Sequence, residues 1–168
     1  MQKPQPLRLL ALSGVLCAIV ILFTLLVSIP IPGVTGAYVN AGDAAVLLCG
    51  YVLGGPLGFL CAGLGSLLAD ILHGSMIYAL PSFLIKGAMA LVGAMLYKKA
   101  QGKKSLWLLT ATVAGLIMPI GYFAFEALFF SPALAALSIP GNALQYLTGV
   151  ILSLPLVRLA QSLLDRIG

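Results

Sequence analysis

The sequence predicts an all-α integral membrane protein: a six-transmembrane-helix bundle with both termini cytoplasmic and a ligand pocket facing outward. Three observations predict it. Of 168 residues, 61% are hydrophobic and only 8% charged, against roughly 25% charged in a soluble domain. A water-facing surface cannot be built from so few charges, so lipid must cover most of it. Mean hydropathy is +1.14. Long apolar runs alternate with Pro- and Gly-rich breaks, and at about 20 residues per span this length holds about five to seven helices.

The elements follow in order, all within a single membrane domain covering 1–168. The first span is predicted over about 7–29, after Lys3 and Arg8. Its apolar run is too long for the h-region of a signal peptide and no small-x-small site follows, so it reads as a retained span. "IPIPGVTGAYVN" cannot continue a helix, and segment 30–42 is expected to fold back as a lid. The second span, about 37–53, is short: even 17 residues give only about 26 Å. "GGP" makes the turn to a third span over about 57–72. The loop "HGSMIYAL" leads to Pro81, well placed for a first helical turn, and a fourth span over about 81–97. "KKAQGKK" is the most polar loop. The fifth span, about 105–130, holds Pro119; after "SPALAALSIP" the sixth, about 140–164, holds Pro155.

Six spans put both termini on one side, and eight of the nine Lys and Arg residues fall there, Lys86 being the exception. The positive-inside rule makes that side the cytoplasm. The net charge of +5 is therefore topology charge, which removes the case for nucleic acid as a partner and leaves the lipid bilayer as the neighbour. Cys17, Cys49 and Cys61 lie in apolar segments at no metal-ligand spacing and read as small buried hydrophobes.

Four charges are embedded: Asp43, Asp70, Lys86 and Glu126. Each costs about 2.5–3.5 kcal/mol at mid-membrane and less near the interface. All four map to the outer half, which suggests a shared polar cavity open to the outside. Helical spacing extends each into a stripe: Asn40 and Asp43; Ser66, Asp70 and His73; Ser82 and Lys86; Tyr122 and Glu126; Asn142 and Gln145.

Each group has two readings. Asp70 and Lys86, on neighbouring spans, are expected to form a structural charge pair. Asp43 suits a helix cap. Glu126 lies near a helix C-terminus, the unfavourable end for a carboxylate, and is the leading candidate for ligand contact. Lys86 would neutralise it, or a ligand would. Asn142 and Gln145 serve as interhelical glue or ligand contacts. Tyr38, Tyr78, Tyr122 and Tyr146 serve as interfacial belt residues or pocket walls. His73 is solvated at a loop edge or reaches the ligand, and Asn40 joins the same level. Ala11, Gly14 and Ala18 form a small-residue stripe on the first span, for packing within the bundle or docking to another membrane protein.

No enzyme signature is present. There is one His and no metal-type cluster, so no metal or other cofactor is expected. "GYVLGGPLG" lacks the strand–turn–helix context of a phosphate loop, so any ATP would be used by partner subunits.

The motif-bearing part is Gly36, Tyr38 to Asn40, Gly42 and Asp43; Gly50 to Pro56 and Gly58; Gly63, Gly65, Ser66, Ala69 and Asp70; and Ile85 to Gly87. It resembles the substrate-binding (S) components of energy-coupling factor (ECF) vitamin transporters. It is most similar to the branch for hydroxymethylpyrimidine/pyridoxine-type or riboflavin-type substrates. The resemblance implies a six-helix vitamin-capture subunit in a prokaryotic cell membrane. Its partners would be a membrane coupling (T) subunit, met by Gly14 and Ala18, and two cytoplasmic ABC-type ATPases. The first loop would cover a pocket lined by spans four to six, and the subunit would topple in the bilayer to deliver its cargo. The expected cargo is a small aromatic vitamin or precursor of the hydroxymethylpyrimidine or pyridoxine type, with riboflavin, pantothenate or folate as alternatives. A stand-alone proton-coupled carrier, with Asp70 or Glu126 as the proton site, is the competing class.

Overall fold

The computed structural model describes residues 6–100 and 106–167, with side chains as far as residue 163. Lys3, Lys103, Lys104 and the Arg166 side chain, counted above among the basic residues, lie outside the described residues, as does Ser105 at the start of the fifth predicted span.

Helix α1 (Pro6–Leu26) runs into strand β1 (Ser28–Pro30), which pairs antiparallel with β2 (Tyr38–Asn40), Ile29 opposite Val39. The proposed lid is thus a small hairpin, not an irregular loop. Its turn is held by Ile31 N–H to Ala37 O (2.9 Å) and Ala37 N–H to Val34 O (3.1 Å). Ile31, Val34 and Ala37 form a separate small core with Tyr78.

Helix α2 (Gly42–Leu53) has 12 residues, about 18 Å, too short to cross about 30 Å of hydrocarbon. It survives because protein surrounds it: residues 42–50 are all buried, and it packs against α1, α3 (Gly55–His73), α4 (Met76–Lys99) and α7 (Pro132–Ile167). The approach to α4 requires glycine: a Cβ on Gly50 would lie 2.3 Å from the Ala90 carbonyl oxygen. Gly54, with φ of 80°, makes the turn into α3, which carries Pro56 in its first turn. At its other end α3 stops at Gly74 (φ 85°), and the Ser75 N–H reaches the Asp70 carbonyl at 2.8 Å, a left-handed cap.

Three boundaries differ from expectation, each for a physical reason. The fourth helix starts at Met76, five residues before Pro81. Proline in a helix interior forfeits one hydrogen bond. Here the first turn is held instead by Tyr78, buried and bonded to Glu126 at 3.0 Å. The fifth span is two helices, α5 (Trp107–Gly115) and α6 (Ile117–Phe129). Pro119 has no N–H and its ring crowds the carbonyl four residues earlier, that of Gly115, where α5 ends. Residues 132–139, expected as a connector, open α7. The Ser131 hydroxyl accepts the Leu134 N–H at 3.2 Å, and Pro132 sits first in the helix, the favoured place for proline. "SPALAAL" is therefore a capped helix start, and that signal was present in the sequence.

Among the described residues, five helical stretches are long and apolar enough to cross a membrane: α1, α3, α4, α5 with α6, and α7. Their outward faces are apolar, with Leu26 78% and Leu128 81% exposed, as lipid contact requires and water would not favour.

Candidate functional site

The polar residues of the bundle gather at the end that carries the hairpin. The cavity there holds about 320 Å³ of unfilled space, mouth included. The hairpin supplies Ile31, Gly36, Ala37, Tyr38 and Asn40; α3 supplies Asp70; α4, Tyr78 and Ser82; α6, Tyr122 and Glu126; α7, Asn142 and Gln145. Helical spacing explains the wall. Tyr78 and Ser82 are four apart, as are Tyr122 and Glu126, while Asn142 and Gln145 are three apart, so each pair shares a face.

The tyrosines hold the carboxyl groups. Tyr38 Oη donates to Asp70 Oδ1 at 2.6 Å, and Tyr78 Oη donates to Glu126 Oε1 at 3.0 Å. Burial first, and Asp70 second, push the Tyr38 phenol well above its usual value, so it stays a donor. The Ser82 and Tyr122 hydroxyls share a 2.6 Å hydrogen bond. The Tyr78 ring meets Phe125 edge-on at 5.5 Å and lies 6.1 Å from Tyr122, giving the cavity an aromatic side.

Beneath lies a second network. Lys86 Nζ donates to Asp43 Oδ1, and both residues are buried. Gln145 Nε2 donates to the same oxygen at 3.2 Å, and its Oε1 accepts the Asn40 N–H at 2.9 Å. Gln145 therefore ties the hairpin to the ion pair. Lys86 Nζ also sits 5.3 Å from the centre of the Tyr122 ring, within cation–π range. A Cβ on Gly149 would come 2.5 Å from Asp43 Cβ, so glycine there lets α7 close on the pair.

Two expectations are corrected. Lys86 does not pair with Asp70; its partner is Asp43. The expectation assumed that helices consecutive in sequence exchange charges. Because α2 is central and touches α4 along the Gly50–Ala90 approach, Lys86 faces it instead. Asp43 makes no capping bond either. The Asn40 side chain does that work, its Oδ1 accepting the Gly42 N–H at 2.9 Å, while Asp43 occupies the first turn of α2.

Of the sequence candidates, Glu126, Tyr122, Asn142, Gln145, Tyr38, Asn40 and Tyr78 line the cavity. Lys86 lies below it. His73 sits outside, stacked on Tyr38 at 3.9 Å and hydrogen-bonded to Ser75 (3.0 Å) and Ser28 (3.2 Å). It braces the hairpin. Tyr146 is elsewhere: its Oη donates to Thr112 O at 3.2 Å, and its ring fills the space above Gly115. Ser82, Ile31, Gly36 and Ala37 line the cavity without having been singled out as site residues. Ser82 was on the correct stripe; the apolar trio carries no chemical signal. Ala11, Gly14 and Ala18 are all exposed on α1, and a Cβ on Gly14 would meet nothing within 4 Å, so the bundle itself does not use Gly14 for packing. Among the described residues, no group of three or more His, Cys, Asp or Glu could hold a metal ion.

The fold has a known counterpart. The solved structure of the S component of a bacterial ECF transporter superposes with a TM-score of 0.75 at 22% identity, over 95% of this chain and 99% of that one. An uncharacterised protein from the gap 3′ region of Pyrococcus woesei is 30% identical over 129 residues, 77% of this chain and 85% of that relative. The family model "ECF-type riboflavin transporter, S component" matches residues 6–162, and the chain belongs to that family of membrane transporter subunits.

Proposed function

We propose that this S component captures a small aromatic vitamin or precursor of the hydroxymethylpyrimidine or pyridoxine type from outside the cell. It would hand the cargo inward through a coupling subunit driven by two ATPases. The observation that carries the reading is the aromatic-walled cavity under the hairpin, in which a few fixed polar groups stand among apolar ones, the usual make-up of a small-molecule site. Tyr78, Tyr122 and Tyr38 would flank a ring. Glu126 would accept from it, and Asn142 would meet a hydroxyl.

The hairpin has the place of a lid: it lines the cavity, is joined to α7 through the single Gln145–Asn40 bond, and carries glycines with φ of 81° at Gly33 and Gly36. The orientation with both termini cytoplasmic is supported by the ends opposite the cavity. Arg8 opens α1, Lys98 and Lys99 close α4, and Arg158 lies in the last part of α7. The exposed Ala11, Gly14 and Ala18 stripe is where a coupling subunit would dock.

Riboflavin is the second reading, favoured by the description of the family. Only about 20 Å³ of the cavity is open to the centre of a water-sized sphere, room for about one water, so the hairpin must give way before either ring system enters and size does not choose between them. Mass spectrometry of small molecules retained by the purified protein tests both. A bound pyrimidine or pyridine supports the first reading and bound riboflavin replaces it with the second. Uptake by the protein reconstituted without ATPases would instead make it a stand-alone carrier.

A further inference from the structure

Resting on that reading of the cavity, its inventory of donors and acceptors says more about the ligand. Asp70 is 4% exposed and Glu126 1%. One oxygen of each is satisfied by a tyrosine. The other, Asp70 Oδ2 and Glu126 Oε2, accepts no hydrogen bond from the protein. The Ser138 hydroxyl near Glu126 also makes no well-aligned bond. A buried carboxyl oxygen left without a donor costs a sizeable desolvation penalty, and this cavity contains two.

Most of the other donors at this level are committed elsewhere, the Ser138 hydroxyl beside Glu126 being an exception. Lys86, the ammonium nearest the cavity, is bound to Asp43. The Tyr38 and Tyr78 hydrogens already point at the carboxyls, so these hydroxyls offer the cavity only lone pairs. Gln145 spends its oxygen on the hairpin and one N–H on Asp43. Ser82 and Tyr122 share one hydrogen bond, which uses one of their two hydrogens. Asn142 keeps its amide among the lining groups. The charge balance leans the same way: three carboxyl groups, Asp43, Asp70 and Glu126, face one ammonium.

We propose that the cavity selects a ligand presenting N–H donors and positive charge, such as an amino-substituted or ring-protonated nitrogen heterocycle, and rejects carboxylates and phosphates. The two free oxygens would each receive an N–H from the ligand, in charge-assisted bonds about twice as strong as neutral ones. A carboxylate would instead bring lone pairs and a negative charge against two buried carboxyl groups whose own oxygens still need donors. Pantothenate, folate and phosphorylated vitamins are then poor ligands by charge.

The test is direct binding by calorimetry to the purified full-length protein in detergent, with four probes: 4-amino-5-hydroxymethyl-2-methylpyrimidine, its 4-oxo counterpart, riboflavin and pantothenate. The amino compound should bind at least about tenfold tighter than the 4-oxo compound, which replaces the two exocyclic N–H donors by a carbonyl and keeps a single ring N–H. Pantothenate should not bind. Asp70→Asn and Glu126→Gln should weaken the amino compound while narrowing the amino/oxo ratio, a change that general loosening of the fold would not produce. Equal or tighter binding of the 4-oxo compound overturns the donor proposal and leaves the pyrimidine reading standing. Tightest binding by riboflavin or pantothenate overturns both. Binding by none of the four overturns the donor proposal along with the pyrimidine reading. The amino/oxo ratio is read on the unsubstituted protein, so misfolding of a variant does not blunt the test.

Discussion

Replacing Asp43 by Asn should damage this protein far more than replacing Asp70 by Asn. Both changes keep the side-chain shape and remove one carboxylate. Asp43 is 1% exposed and its partner Lys86 3%. In Asp43→Asn the Lys86 ammonium stays buried against an uncharged amide, with α2, α4 and α7 closed around it. Breaking one side of a buried ion pair costs about 3–5 kcal/mol. At about 2–4 °C per kcal/mol for a chain of this size, the midpoint should fall by about 6–20 °C. Asp70→Asn keeps an amide oxygen for Tyr38 and strands no cation, so its midpoint should move by about 3 °C at most, near 1 kcal/mol. The assay is thermal unfolding in a single detergent, followed by Trp107 fluorescence. Trp107 is the single tryptophan and is buried beside Tyr51 and Tyr97. Asp43→Asn combined with Lys86→Met should recover much of the loss, because it removes the stranded ammonium, the costly part of breaking one side of the pair. If Asp70→Asn proves the more damaging single change, or the double variant is no better than Asp43→Asn, Lys86 is not held by Asp43.

Four further outcomes are expected. Glu126→Gln should lose a charged hydrogen bond to the ligand, about 1.5–3 kcal/mol, read as a rise of about 10- to 150-fold in Kd with expression intact. Tyr146→Phe should leave ligand affinity unchanged, since its hydroxyl bonds to Thr112 and not to the cavity; a clear loss in the same titration would contradict that placement. Gly50→Val should sharply lower the yield of folded protein on size-exclusion chromatography, because its Cβ would collide with the Ala90 carbonyl at 2.3 Å. Gly14→Leu should spare folding and ligand binding, there being nothing within 4 Å to strike. It should reduce uptake by cells expressing the complete transporter, and normal uptake would dismiss α1 as the docking face.

How far the sequence could be read depended on whether the signal was local. Period-3.6 spacing along single helices put Ser82, Tyr122, Glu126, Asn142 and Gln145 on inward stripes, and the structure brings those five to one cavity. Which charge meets which is not local. Lys86 matches Asp70 in the sequence because their helices are consecutive, and Asp43 reaches it instead only because α2 lies at the centre. Its 12 residues do not span a membrane by themselves, which was itself a sign that protein, not lipid, surrounds them. Tyr146 failed for the opposite reason: its stripe runs on past Gln145, but Gly115 opens a slot in α5 and draws the ring away from the cavity. The hairpin could not be separated from an irregular loop, because Ser28–Pro30 and Tyr38–Asn40 are three residues each, too few to show alternation.

The embedded charges sort into two kinds once the geometry is known. Asp43 and Lys86 neutralise each other below the cavity, and Gln145 carries their position to the hairpin through the Asn40 N–H. A change at the pair therefore reaches the ligand site indirectly, through a movement of β2. Asp70 and Glu126 are different: each is anchored by a tyrosine through one oxygen and keeps the other free. Asp43 Oδ2 also lacks a hydrogen-bond donor, but Asp43 lies against Lys86 outside the cavity lining, whereas Asp70 and Glu126 line the cavity itself. A ligand that donates to their two free oxygens would offset desolvation that the protein leaves unanswered there. That physical argument, more than the aromatic walls, ties the cavity to a donor-bearing cargo. It also makes Asp43→Asn and Glu126→Gln complementary experiments: the first should disturb the fold and the ligand site together, the second the ligand alone.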